Sequence, residues 1–74
     1  MIVTIKIKER GDETKFVSNG QKVGSVYKMS DRWFSFGTYN MTGSAKTYEK
    51  AIIEVQENIS KDLERFGLDV DFAR

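Results

Sequence analysis

The alternation of apolar and polar residues predicts strands in the first half of the chain. In residues 1–8, Val3, Ile5 and Ile7 alternate with polar or charged neighbours. This period of two is typical of a strand with one buried face. Further segments with β-favouring residues follow at 13–18, 21–29 and 32–39. The first half of the chain is therefore predicted to form four strands.

Short turns separate these predicted strands. The Asn-Gly pair at 19–20 supplies the two positive φ angles that a type I′ hairpin turn requires. The Ser-Asp pair at 30–31 predicts a second two-residue turn, and the Gly-Asp pair at 11–12 interrupts the first alternation. Residues 40–46 include a glycine and are predicted to form a loop.

After residue 46 the apolar period becomes that of an α-helix. Apolar side chains recur every three or four positions, which places them on one buried stripe. The stripe consists of Tyr48, Ala51, Ile52, Val55, Ile59, Leu63 and Phe66. Thr47 is the predicted N-cap, and Gly67 is the predicted left-handed residue after the helix, which gives a helix over about 47–66. The alternation in 68–72 predicts either a short added strand or an extended segment docked on the core.

Two tight turns fix the register of the predicted strands. Counting back from them pairs Phe16 with Val23 and Tyr27 with Phe34. The side chains predicted to point inward are Val3, Ile5, Ile7, Phe16, Val23, Ser25, Tyr27, Phe34 and Phe36. The predicted fold is a single α+β domain over residues 1–74, an antiparallel four-stranded meander packed on one C-terminal helix (ββββα).

The same register collects basic residues on the opposite face of the sheet. Glu13 is the one acidic residue expected there, and Gly24 and Gly37 are expected to leave gaps. Lysines on such a face attract phosphates, and an exposed tryptophan can stack on a base. The predicted binding residues are Lys6, Lys8, Lys15, Lys22, Lys28 and Trp33, with Tyr39 as a further anchor at the edge.

Charge is distributed unevenly along the chain. Residues 1–46 hold eight basic and four acidic side chains, whereas residues 47–74 hold four basic and seven acidic ones. The formal net charge of +1 therefore hides a basic sheet and an acidic helix. An acidic helix would repel a duplex that wrapped the protein, so the sheet face alone is expected to engage an anion.

Composition argues against most enzyme chemistry. The 74 residues include no Cys and no His, which removes thiolate ligands, a cysteine nucleophile and an imidazole base. Neither a phosphate-cradling glycine motif nor a metal-ligand spacing occurs. We therefore predict a non-enzymatic protein without catalytic residues, metal or cofactor. The longest apolar run is 51–53 and no secretory signal is visible, so we expect no membrane contact and a cytoplasmic location.

The middle of the chain resembles the three-stranded-sheet-plus-helix modules of AP2 domains and of the arm-binding domains of tyrosine recombinases. The matching segments are GSVYKMSDRWFSFGTY at 24–39, Thr47, Tyr48 and the Lys-Ala pair at 50–51. Gly24, Trp33 and Ala51 match the recurring glycine, tryptophan and alanine of these families, whose arginine-rich strands are here replaced by Lys and Ser. The resemblance implies a sheet that enters the major groove of DNA. In size and style the chain is also similar to small phage-encoded accessory proteins that bind and inhibit a host factor.

Three functional hypotheses follow from these observations. In the first, the basic face binds nucleic acid through its lysines and Trp33. In the second, the protein is a binding modulator or inhibitor that engages an acidic protein surface through the same face or an edge. In the third, the sheet face or an exposed edge strand forms a homodimer. Lysines on a strand also serve simply to solvate it and to prevent pairing with other chains.

Overall fold

The computed structural model describes residues 1–37 and 40–74. Within these ranges the chain forms six strands and one helix. The elements are β1 (Ile2–Arg10), β2 (Glu13–Ser18), β3 (Gln21–Met29), β4 (Arg32–Phe36), β5 (Met41–Ala45), α1 (Tyr48–Glu64) and β6 (Asp69–Ala73). The strands form one sheet in the order β5-β4-β3-β2-β1-β6, and α1 packs across one of its faces. The α+β class is confirmed, but the sheet has two strands more than the predicted meander.

The two additional strands lie at the two edges of the sheet. The predicted loop over 40–46 is wrong, because residues 41–45 form β5 and pair antiparallel with β4. Small residues suit this position: a Cβ atom on Gly43 would lie 2.9 Å from both carboxylate oxygens of Glu54 on α1. At the other edge, β6 pairs parallel with β1, so the segment after the helix is a strand rather than a docked coil.

Both predicted two-residue turns are present. Asn19 and Gly20 have φ angles of 54° and 77°, as a type I′ turn requires. Ser30 also has a positive φ of 57°, and the β3–β4 register beyond it, with Tyr27 opposite Phe34, agrees with the prediction. Residues 38–39, which the alternation assigned to the fourth strand, lie outside the described part of the chain.

A β-bulge changes the register of the β2–β3 hairpin. Val17 still pairs with Lys22, but Phe16 pairs with Gly24 rather than with Val23, because β3 contains one extra residue at this point. Beyond the bulge, every side chain of β3 and β4 lies on the face opposite to the predicted one, since side chains alternate along a strand. The predicted inward direction of Ser25, Tyr27, Phe34 and Phe36 is therefore wrong.

The hydrophobic core lies between α1 and the sheet face that α1 covers, which we call the helix face. Its buried residues are Ile5, Ile7, Phe16, Val26, Ala45, Ala51, Ile52, Val55 and Ile59. Gly24 lets the helix approach closely, because a Cβ atom there would lie 2.9 Å from Cγ1 of Val55. The predicted gap at Gly24 is thus filled by the helix.

The ends of α1 follow the predicted capping residues. Thr47 has an extended conformation, and its Oγ1 accepts a hydrogen bond from the Lys50 amide at 3.3 Å. After the helix, Gly67 has φ 71°, and the amide of Leu68 donates to the Leu63 carbonyl at 3.1 Å. Phe66 lies beyond the last helical residue and is 77% exposed, so its predicted place in the buried stripe is wrong.

Candidate functional site

The sheet face that α1 does not cover, called the open face, has a mixed basic and aromatic surface. Directly paired residues of neighbouring strands share a face, so the ladders assign each side chain. Strands β1 to β3 contribute Ile2, Thr4, Lys6, Lys8, Arg10, Glu13, Lys15, Val17, Lys22, Ser25, Tyr27 and Met29; β4 to β6 contribute Arg32, Phe34, Phe36, Met41, Ser44, Asp69, Asp71 and Ala73. Four of the six predicted lysine and tryptophan residues belong to this set.

The basic half of the open face is formed by β1, β2 and the start of β3. Lys8 lies directly opposite Lys15, and Lys6 is joined to Lys22 through Val17 in the next row. Directly opposed side chains are separated by about 5 Å at Cβ, and like charges in such pairs destabilise a sheet. Glu13 is the ion-pair partner of Lys15, at the long distance of 4.0 Å.

A shallow groove crosses this basic half. It has a volume of about 320 Å³ and is lined by Thr4, Lys6, Lys8, Val17, Asn19 and Gly20. Its lining thus includes two lysines, the polar side chains of Thr4 and Asn19, and one valine. This composition suits a phosphate or a sugar better than an apolar ligand.

The aromatic half of the open face is formed by β3, β4 and β5. Tyr27 lies directly opposite Phe34, and Phe36 follows two residues along the same strand. Tyr27 is 42% exposed, while the two phenylalanines are half-buried by their neighbours. Met29 and Met41 are exposed beside them. The sequence prediction missed these rings, and the signal that could have revealed them is Gly24, because an isolated glycine inside a strand suggests a bulge.

Acidic residues also reach the open face, in larger number than predicted. Glu13 is present as expected, and β6 adds Asp69 and Asp71. These two aspartates pair with Ile2 and Thr4, whereas Lys6 pairs with Ala73. The carboxylates of β6 are therefore displaced along the sheet from the Lys8–Lys15 row, which remains basic.

Trp33 and Lys28 are not part of the open face. Trp33 packs against the core on the helix face, and its ring centroid lies 4.9 Å from that of Tyr48 at the start of α1. The Lys28 ammonium lies over the same indole, 5.6 Å from the ring centroid. The predicted grouping of these two residues with the other lysines is therefore wrong, and the reason is the bulge between β2 and β3. Tyr39 lies outside the described residues.

Tyr48 organises a polar cluster at the rim of the helix face. Its hydroxyl donates to Glu9 Oε1 at 3.0 Å and lies 2.8 Å from Thr14 Oγ1, while Arg74 pairs with the same Glu9 oxygen. Burial raises the pKa of Tyr48 above its ordinary value of 10.0; the hydrogen bond from Thr14 lowers it, and Glu9 raises it. This cluster ties the helix start to β1, β2 and the end of β6.

The described residues contain neither a metal-binding cluster nor a helix that could span a membrane. Across 1–37 and 40–74, no group of three or more acidic side chains is arranged to hold a metal ion. No helix in this part of the chain combines the length and apolarity needed to cross a membrane. Comparison with protein-family models, with curated proteins and with solved structures finds no match to this chain. The resemblances noted above stay predictions.

Proposed function

We propose that the protein is a small non-enzymatic module that binds nucleic acid on its open face. The observation that carries this proposal is the direct opposition of Lys8 and Lys15, with Lys6 and Lys22 in the adjacent row. Two ammonium groups held side by side repel each other. The phosphates of a polyanion offset this repulsion and release counterions, which favours binding.

The distribution of charge favours one orientation for such a ligand. The carboxylates of α1 lie on the other side of the sheet from the open face, because α1 packs across the helix face. These acidic residues are Glu49, Glu54, Glu57, Asp62 and Glu64. A polyanion is therefore attracted by one face and repelled from the other, which steers its approach.

In this proposal, other aromatic side chains stack on the bases, the role that the sequence analysis predicted for Trp33. Tyr27, Phe34 and Phe36 present apolar surface beside the lysines, where a base or sugar could contact them. Arg10, which lies on the same face as Lys8, likewise provides the positive charge that was predicted for Lys28. The predicted cytoplasmic location belongs to this proposal.

A protein partner is the second candidate. The exposed Met29 and Met41 favour it, because methionines form adaptable apolar contacts at protein interfaces. Such a partner would be acidic, and the protein would then act as a modulator or inhibitor. Binding through buried apolar anchors depends less on salt than binding to phosphates does.

The test uses a double variant, Lys8→Ala with Lys15→Ala, and a labelled mixed-sequence oligonucleotide in single-stranded and duplex forms. For the unmodified protein, if four phosphates are neutralised, we expect affinity to fall about 50-fold for the single strand and about 150-fold for the duplex between about 50 and 200 mM salt. The double variant is expected to bind more weakly and to reduce the salt slope by about 1 for each lysine removed. Fluorescence anisotropy titrations measure both quantities.

The matched control removes two lysines from the helix, Lys50→Ala with Lys61→Ala. Both side chains are exposed on α1, which lies against the other face, and the net charge changes equally. The control is expected to retain the affinity of the unmodified protein. Equal losses in the two double variants, or no binding of either oligonucleotide form at the lower salt concentration, would overturn the proposal and favour the protein partner.

A further inference from the structure

We infer that the open face selects single-stranded nucleic acid, with one unstacked base on each phenylalanine ring and the phosphates over the lysines. The inference rests on the proposed function and adds the class of ligand to it. It is carried by the relative placement of Phe34 and Phe36 on β4 and of Lys15 on β2, with β3 between these two strands.

The spacing of the two phenylalanine rings argues for unstacked bases. Phe34 and Phe36 lie on the same face of β4, two residues apart, which separates them by about 6.7 Å along the strand. Successive bases in a duplex strand are about 3.4 Å apart. Rings at twice that spacing cannot each stack on neighbouring bases of a duplex, but they can each take one base of an extended strand.

The row through Phe36 provides a path from a base to its phosphate. Across the sheet, Phe36 is opposite Ser25, which is opposite Lys15, which is opposite Lys8. Neighbouring strands are about 4.8 Å apart, so the backbones of Phe36 and Lys15 are separated by about 10 Å. Ser25, on the strand between them, has a small side chain that its neighbours cover, since it is 4% exposed. A nucleotide stacked on Phe36 can therefore span β3 with its sugar and reach the Lys15 ammonium with its phosphate.

This arrangement orients the bound nucleic acid strand along the sheet. With bases over β4 and phosphates over β2 and β1, the nucleic acid backbone runs parallel to the β-strands. Tyr27, opposite Phe34, widens the stacking surface on the base side. Met41, opposite Phe36, adds an adaptable apolar edge that suits bases of different shape. Recognition by ring faces and ammonium groups is tolerant of sequence.

The experiment compares single-stranded and duplex oligonucleotides of one sequence, each made as DNA and as RNA. The variant is Phe34→Leu with Phe36→Leu, which retains apolar side chains on β4 and removes both ring faces. We expect the unmodified protein to bind the single strand at least about 10-fold more tightly than the duplex, and the variant to lose about 10-fold or more of the single-strand affinity. Circular dichroism verifies that the variant retains its fold.

Phe66→Leu is the matched control, because this phenylalanine is exposed beyond the end of α1. It is expected to leave both affinities unchanged. Equal affinity for duplex and single strand, or a leucine variant that binds like the unmodified protein, would overturn the single-strand inference while leaving the lysine-based proposal intact. Loss of the lysine dependence described above overturns the proposed function itself, so the two failures are distinguishable.

Discussion

The same strands form both faces of the sheet, but the side chains of the two faces are under different packing constraints. On the helix face, shape decides which residue occurs: Gly24, Gly43 and Ser35 lie where α1 approaches closely. Ser35 is fully buried, and the single proton of its hydroxyl is shared between two acceptors, the Ala51 carbonyl at 3.3 Å and Glu54 Oε2 at 3.2 Å. The open face has no such packing partner within the described residues, and most of its side chains are long, charged or aromatic.

This contrast shows how large rings and charges can be free to bind. The helix face satisfies the need for a core in a small domain, with Phe16 and Val26 fully buried. The rings of Phe34 and Phe36 are therefore not required to fill the interior. The contrast predicts that substitutions of similar size on the two faces affect stability very differently.

The sharpest comparison substitutes one phenylalanine on each face. Phe16→Ala removes a fully buried ring that packs edge-on against Phe72, with centroids 6.1 Å apart, and is expected to lower the free energy of unfolding by about 3–5 kcal/mol. Phe34→Ala removes a half-buried ring and is expected to lower it by about 1 kcal/mol. Urea denaturation measures both values. Similar losses would mean that the open face acts as a second core.

A smaller effect is expected where the helix meets the sheet. Gly24→Ala places a Cβ atom 2.9 Å from Val55 Cγ1 and 3.2 Å from the Phe36 carbonyl oxygen, so we expect a loss of about 1–3 kcal/mol. Gly37→Ala is the control, since its Cβ atom would be 3.4 Å from its nearest neighbour, which is ordinary contact. The control should be neutral or slightly stabilising by thermal denaturation. A neutral Gly24→Ala would contradict the close approach of α1.

The smallest effect concerns the polar rim of the helix face and depends on pH. Tyr48→Phe removes the hydroxyl that bonds Glu9 and Thr14, and near neutral pH we expect a loss of about 1 kcal/mol. Burial raises the folded-state pKa of Tyr48, so its stabilising contribution is full below pH 10.0 and is lost as pH rises through the raised pKa.

Denaturation midpoints of the unmodified protein and of Tyr48→Phe, measured from neutral pH to above pH 10.0, check this sign. The stability difference between the two proteins should shrink as pH rises, because the lysines titrate in both and cancel in the comparison. A difference that stays constant across this range would show that the phenol contributes only through packing.

The local elements were predictable from sequence because local chemistry determines them. The Asn-Gly turn at 19–20, the β3–β4 pairing, the Thr47 cap and the Gly67 terminus each depend on a few neighbouring residues. Within the candidate site, the same reasoning correctly placed Lys6, Lys8, Lys15 and Lys22 on one face, since these lie on β1, β2 and the part of β3 before the bulge.

The remaining features depend on contacts distant in sequence. Alternation alone cannot distinguish Val23 from Gly24 as the partner of Phe16; burial of Val26 and the approach of Val55 to Gly24 favour the bulged register. Strand β5 has weak β-propensity and is held by β4 and the helix. The sequence prediction assigned Trp33 to the wrong face because it did not include this bulge, which also reverses the direction of Tyr27, Phe34 and Phe36.

The parallel pairing of β6 with β1 has a consequence for synthesis of the protein. The amino-terminal strand receives its second neighbour only after residues 69–73 have left the ribosome, because every other element precedes them. Until then β1 presents a bare edge to other nascent chains. Lys6 and Lys8 along that edge discourage intermolecular pairing. The lysines that we assign to ligand binding thus also reduce association between nascent chains during translation.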